Sequence, residues 1–164
     1  MKKSILILSA AFMSLAIVQS ASAQTATQAL SLSVSKVYRI AITGGTITLG
    51  INTGVAGTDA LTPVSDATST YAITQNNSAA THVTANLDAV MPKGKLQIAL
   101  ASVLGTSSGT VDISNAIAAN AATVVTAIHM GAEAGKSITY TFSANASEGL
   151  LTSTSKTVTL TVVD

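Results

Sequence analysis

The chain has no cysteine and no tryptophan, only 2 prolines, and charged side chains at just 9% of its 164 positions. Lack of cysteine excludes disulfides, thiolate metal sites and a lipid-modified anchor cysteine. A core large enough to fold without staples must then come from the 48% hydrophobic residues, and a chain of this length can bury about two-thirds of its unfolded surface. Lack of tryptophan weakens any carbohydrate-stacking platform, since the flat apolar faces that sugars prefer are those of large aromatic rings. Beyond residue 23 the aromatics are Tyr38, Tyr71, Tyr140 and Phe142. The last two share the phase of Ile138, so alternation points them inward.

The first residues read as an export signal. Met1-Lys2-Lys3 is positive, Ile5 to Val18 is apolar, and Ala21-Ser22-Ala23 is the small-residue pattern that precedes cleavage, leaving Gln24 as the new N-terminus. As a helix the apolar run is roughly 21 Å long, short of the ~30 Å of hydrocarbon in a bilayer. It therefore reads as a removable signal, with no stable membrane span after processing. Removal takes Lys2 and Lys3 with it. The remaining basic residues, Lys36, Arg39, Lys93, Lys95, Lys136 and Lys156, are dispersed and slightly outnumbered by the 7 acidic ones. Nucleic-acid binding needs a concentrated basic face, so it is excluded. The expected location is outside the cytoplasm of a bacterium: secreted, periplasmic or at the cell surface.

What the chain has in quantity is period-two alternation, the mark of strands with one face in a core. Ile138, Tyr140, Phe142 and Ala144 alternate with Thr and Ser; Val158, Leu160 and Val162 alternate with Thr157, Thr159 and Thr161. These two runs are expected to face each other as a long hairpin. From Ala26 to Ile42 a single phase persists through Leu30, Leu32 and Val34, predicting one long strand or two with a bend. Ile47, Leu49 and Ile51 predict the next, followed by a loop from Asn52 to Ser69. Tyr71–Ile73, Val83–Leu87, Leu96–Leu100 and Val111–Ile113 complete the strands before a helical turn near Ala116–Ala121, then extended chain. Gly131 and Gly135 bracket a loop. The fold expected is all-β, an antiparallel immunoglobulin-like sandwich of about eight to nine strands in a single domain spanning residues 24–164.

No chemistry is proposed by the spacing of reactive groups. His82 and His129 lie in no nucleophile motif. Asp59, Asp66, Asp88, Asp112, Glu133 and Glu148 show no spacing that pairs two of them for glycoside hydrolysis. Gly135-Lys136-Ser137 resembles the end of a phosphate loop, but Met130 stands where its first glycine belongs. Asp59 and Asp66 share a loop without the twelve-residue calcium pattern. Asn76-Asn77-Ser78 and Asn145-Ala146-Ser147 match a glycan-acceptor pattern that is incidental in an exported bacterial chain. The expectation is no catalytic residue, no metal and no cofactor.

The signal, the threonine-rich alternating strands and the ending Thr157-Val158-Thr159-Leu160-Thr161-Val162-Val163-Asp164 together resemble small exported bacterial sandwich proteins of unknown function. More distantly they are similar to fimbrial and spore-coat-U-type subunits. Fimbrial subunits typically carry a disulfide and an aromatic residue near the C-terminus; here cysteine is absent and Val162-Val163 stand at the end, so no functional residue carries over. The expected role is a non-enzymatic structural or surface protein, a fimbria-like or matrix subunit. Thr25–Ser35, with Leu30, Leu32 and Val34, is its strand-exchange segment, and its partners are copies of itself or other surface proteins. The alternative is a monomeric secreted module that binds carbohydrate or another ligand.

Overall fold

A computed structural model describes residues 24–164. The expected export signal, including Ala21 and Ala23 of the cleavage pattern, lies outside the described residues; Gln24 is exposed. The chain divides into two units, Met1–Ser33 and Val34–Asp164. In the first, residues 24–33 are exposed and form no strand.

The second unit is all-β: nine strands in two antiparallel sheets, stacked as a sandwich, with no α-helix among the described residues. The strands are β1 (Tyr38–Thr43), β2 (Val64–Gln75), β3 (Thr81–Leu87), β4 (Lys95–Leu100), β5 (Thr106–Ser107), β6 (Val111–Asp112), β7 (Ala122–Ile128), β8 (Gly131–Ser143) and β9 (Val158–Val163). One sheet runs β1-β2-β8-β4-β6 and the other β5-β7-β3-β9. Between them lie Tyr71 and Ile73 of β2, Val83 and Leu87 of β3, Ile98 and Leu100 of β4, Val124 and Val125 of β7, and Ile138 of β8. Each is essentially without solvent contact. The expected helical turn is present as a single 3₁₀ turn, Ala118–Asn120, leading into β7.

Five expectations are corrected. The expected loop Asn52–Ser69 contains the start of β2, and the loop bracketed by Gly131 and Gly135 is the start of β8. The long first strand begins only at Tyr38; residues 26–37 alternate in sequence but form no strand. Ile47, Leu49 and Ile51 are half-buried as alternation requires, and Ile47 and Leu49 rest on the core. Yet residues 44–52 form no strand, and their main chain bonds to no other main-chain group among the described residues. The terminal pair is not a hairpin. β8 lies between β2 and β4, whereas β9 pairs with β3 at the edge of the opposite sheet.

The sheets also contain β-bulges, where an extra residue on one strand shifts the alternation. Between the pairs Tyr71↔Lys136 and Ile73↔Glu133, β8 carries one residue more than β2, with Gly135 at φ 63° supplying the left-handed turn. The inward phase of β8 thus moves from Glu133 to Ile138 and Tyr140. A second bulge in β2 between Asp66 and Ser69 moves its inward phase likewise. Irregularities in β7 let the consecutive residues Val124 and Val125 both point inward.

Candidate functional site

The sandwich has four edge strands, and they differ sharply. β5 and β6 hold two residues each. β1 is six residues long with Arg39 exposed within it. β9 is also six residues, Val-Thr-Leu-Thr-Val-Val, with no charge, proline or bulge along its pairing with β3. Leu160 points into the core, Val158 and Val162 are half-buried on the same face, and Thr159 and Thr161 face solvent. Natural edges are normally guarded by charge, proline or a bulge, because their unpaired N–H and C=O groups template the addition of another strand. Within its length, β9 has none of these guards.

The two six-residue edges meet at one end of the sandwich. The Asp164 carboxylate, just beyond β9, accepts from the Lys36 ammonium at 3.0 Å, from the Tyr38 hydroxyl, and from the Asn77 amide at 3.0 Å. These hydrogen bonds, Tyr38 first and then Lys36, hold the Asp164 carboxyl below its ordinary range, and the same contacts raise Lys36 and Tyr38. Asn76 clamps the chain on its way into β1. Its side-chain oxygen accepts from Val37 N–H at 2.7 Å, and its side-chain amide donates to Ser35 C=O at 2.9 Å. Asn76 N–H also donates to Val37 C=O at 3.3 Å, extending the β1–β2 pairing outward by one residue. Upstream of this clamp, Leu30, Leu32 and Val34 are 77%, 89% and 87% exposed. The strand-exchange residues singled out in the sequence are thus exposed and in no strand.

The other end of the sandwich has a shallow cleft of about 480 Å³, bordered by apolar residues such as Leu61 and Pro63 and by Lys95, Asp112, Asn145 and Glu148. Its charges are already engaged. Lys95 pairs with Asp112 at 3.5 Å, and Glu148 accepts from Asn145 N–H at 2.9 Å. Burial raises the Asp112 carboxyl, but the Ser114 hydroxyl and N–H, with Lys95, outweigh it and leave the group lowered. No group of three or more histidine or carboxylate side chains among the described residues could hold a metal ion.

Glu133 was placed by the sequence in a loop; it lies near the start of β8, 7% exposed, and is the most heavily bonded carboxylate. One oxygen accepts from the Tyr71 hydroxyl at 2.9 Å and the Ser102 hydroxyl at 2.8 Å; the other accepts from Val103 N–H at 2.8 Å and Leu104 N–H at 3.1 Å. Burial raises its carboxyl, but the four donors outweigh burial and leave the group below its ordinary value. Burial, reinforced by Glu133, drives the Tyr71 phenol well above its own. Each oxygen is filled by protein donors that tie the loop after β4 to β2 and β8. The arrangement is a fastening. The signal that locates Glu133 is the bulge at Gly135, which reverses the phase.

The remaining candidates are dispersed. His82 lies in β3 opposite Val163, and His129 is exposed in the connection from β7 to β8. Asp59 and Asp66 are not brought together as a cation pair: Asp59 accepts from Ser147 N–H and hydroxyl, both at 2.8 Å, whereas Asp66 caps the bulge through Thr68. Asp88 accepts from Thr157 N–H, which lowers its carboxyl. Gly135-Lys136-Ser137 is bulge and strand. Asn145 opens the 3₁₀ turn Ala146–Glu148. Tyr71 and Tyr140 are buried, and the Tyr38 hydroxyl is taken up by Asn77 and Asp164. Among the described residues no helix is long and apolar enough to cross a membrane.

The fold and its edges define a class, a two-sheet antiparallel β protein with one unguarded edge. Comparison with family models, with curated proteins and with solved structures finds no match to the chain.

Proposed function

We propose that the protein is an exported, non-enzymatic structural or surface subunit on an immunoglobulin-like framework. Met1–Ala23 serves as its cleaved signal, and it associates by strand addition through Thr25–Ser35. The observation that carries this reading is the segment of residues 29–35: uncharged, alternating, and in no strand, with Leu30, Leu32 and Val34 exposed on one phase. Water-exposed leucines on one side of an extended segment cost about 1.5–3 kcal/mol each relative to burial. Adding the segment to a sheet edge recovers part of that and bonds its main chain at the same time.

Sedimentation of the chain beginning at Gln24, compared with a chain beginning at Lys36, tests the reading. Assemblies that grow with concentration and vanish on truncation are expected. A monomer at every concentration, unaffected by truncation, overturns it; glycan-array binding by that monomer would favour the ligand-binding alternative.

A further inference from the structure

We propose that the free edge of β9 is the acceptor for residues 29–35 of a second copy of the chain. This rests on the strand-addition reading above and specifies which edge takes the strand and whose strand it is.

The choice of edge follows from comparing all four. β5 and β6 are too short to seat a seven-residue segment. β1 would set Arg39 into the new ladder. β9 offers six regular residues, about 20 Å of ladder, with no charge from Val158 to Val163. The faces also match. Placed beside β9, Leu30, Leu32 and Val34 extend the inward face formed by Val158, Leu160 and Val162. Ser31 and Ser33 then fall on the outward face with Thr159 and Thr161, where hydroxyl side chains pair favourably across strands. Neither partner brings a charge that would have to be desolvated.

A second copy supplies the strand because the chain's own entry into β1 is clamped in place. Asn76 bonds the main chain at both Ser35 and Val37, and Lys36 is held by Asp164. For a chain to cover its own β9 it would have to reverse at Ser35–Tyr38. Reversal there would break the Asn76 clamp. Exchange between copies keeps it. Because donor and acceptor are different surfaces, the contact is head-to-tail and propagates.

The absence of native cysteine makes disulfide trapping clean. The chain from Gln24 carrying Ser31→Cys or Ser33→Cys is mixed with a size-tagged copy carrying Thr159→Cys, Thr161→Cys or, as the rival edge, Ala41→Cys, then oxidised. Directly opposed outward positions lie within disulfide reach. The expected result is tagged–untagged dimers with at least one β9 position and none with Ala41. Dimers through Ala41 alone, in a protein whose assembly still needs residues 24–35, overturn β9 as acceptor while leaving strand addition standing. An intrachain disulfide in a monomeric Ser33→Cys/Thr161→Cys double variant overturns the second copy. A chain that is monomeric with or without residues 24–35 removes the reading beneath the inference as well.

Discussion

Replacing Glu133 isolates the fastening at the start of β8. In Glu133→Gln the side-chain oxygen can face the amides of Val103 and Leu104, while its NH₂ faces the Tyr71 and Ser102 hydroxyls, which rotate to accept. Every partner is then satisfied and only the charge is lost. Bonds to a charged acceptor contribute about 1.5–3 kcal/mol against about 1 for neutral ones, and relief of carboxylate desolvation offsets part of the difference. The expected loss is about 1–2 kcal/mol. Glu133→Ala leaves the two amides without a protein partner; Tyr71 can turn to Ala101 C=O, already at 2.9 Å, so the loss is about 2–4 kcal/mol. The sign of the pH dependence follows from the depressed carboxyl. Its contribution is fully present above the ordinary value near 4.5 and disappears as pH falls through the lower folded-state value. Urea unfolding followed by circular dichroism at pH 7 and pH 3 reads both effects as midpoint shifts at constant slope. Equal midpoints for wild type and Glu133→Gln at pH 7, or a difference undiminished at pH 3, would refute the reasoning.

Two further perturbations test the packing. Gly94 and Gly109 both have φ 72°, but a Cβ at Gly94 would lie 2.6 Å from the Phe142 ring, whereas Gly109 faces open space. Gly109→Ala should cost about 1–2 kcal/mol of backbone strain and Gly94→Ala at least ~1 kcal/mol more from overpacking, measured by urea midpoints; equal costs would deny the ring contact. Gln75 is buried, donating to Ile128 C=O at 3.0 Å and accepting from Asn77 N–H at 2.8 Å, which ties the two sheets together. Gln75→Leu should lose about 2–4 kcal/mol and lower Tm by roughly 10 °C; an unchanged calorimetric Tm would show that the tie is dispensable.

Alternation in the sequence located most of the core and failed wherever a bulge intervened. Tyr71, Ile73, Val83, Leu87, Ile98, Leu100, Ile138 and Leu160 all follow the period and are buried. Alternation starts β2 only at Tyr71 because the bulge after Asp66 reverses the phase of its first residues, and starts β8 only at Ile138 because the bulge at Gly135 does the same. The helix-like spacing of Val124, Val125 and Ile128 arises from irregularities in β7, not from a 3.6-residue turn. Pairing was less legible than burial. Nothing in Ile138–Ala144 or Val158–Val162 says that the two runs belong to opposite sheets, since partner choice depends on residues far away in the chain. The exposed segment at Leu30, Leu32 and Val34 was legible as alternation, whereas the open β9 edge required knowing which strands lie beside it.

The topology has a consequence for how the chain reaches this state. Only β1 and β2 are neighbours both in sequence and in a sheet; every other ladder joins strands separated by at least one other strand. β3, one of the two inner strands of the smaller sheet, takes one of its neighbours from Val158–Val163, far along the chain. Loop closure must therefore precede most of the stabilising pairings, which places the protein among slow folders of high contact order. A chain cut short before Val158 has no means of completing the smaller sheet, because β3 then has β7 alone beside it.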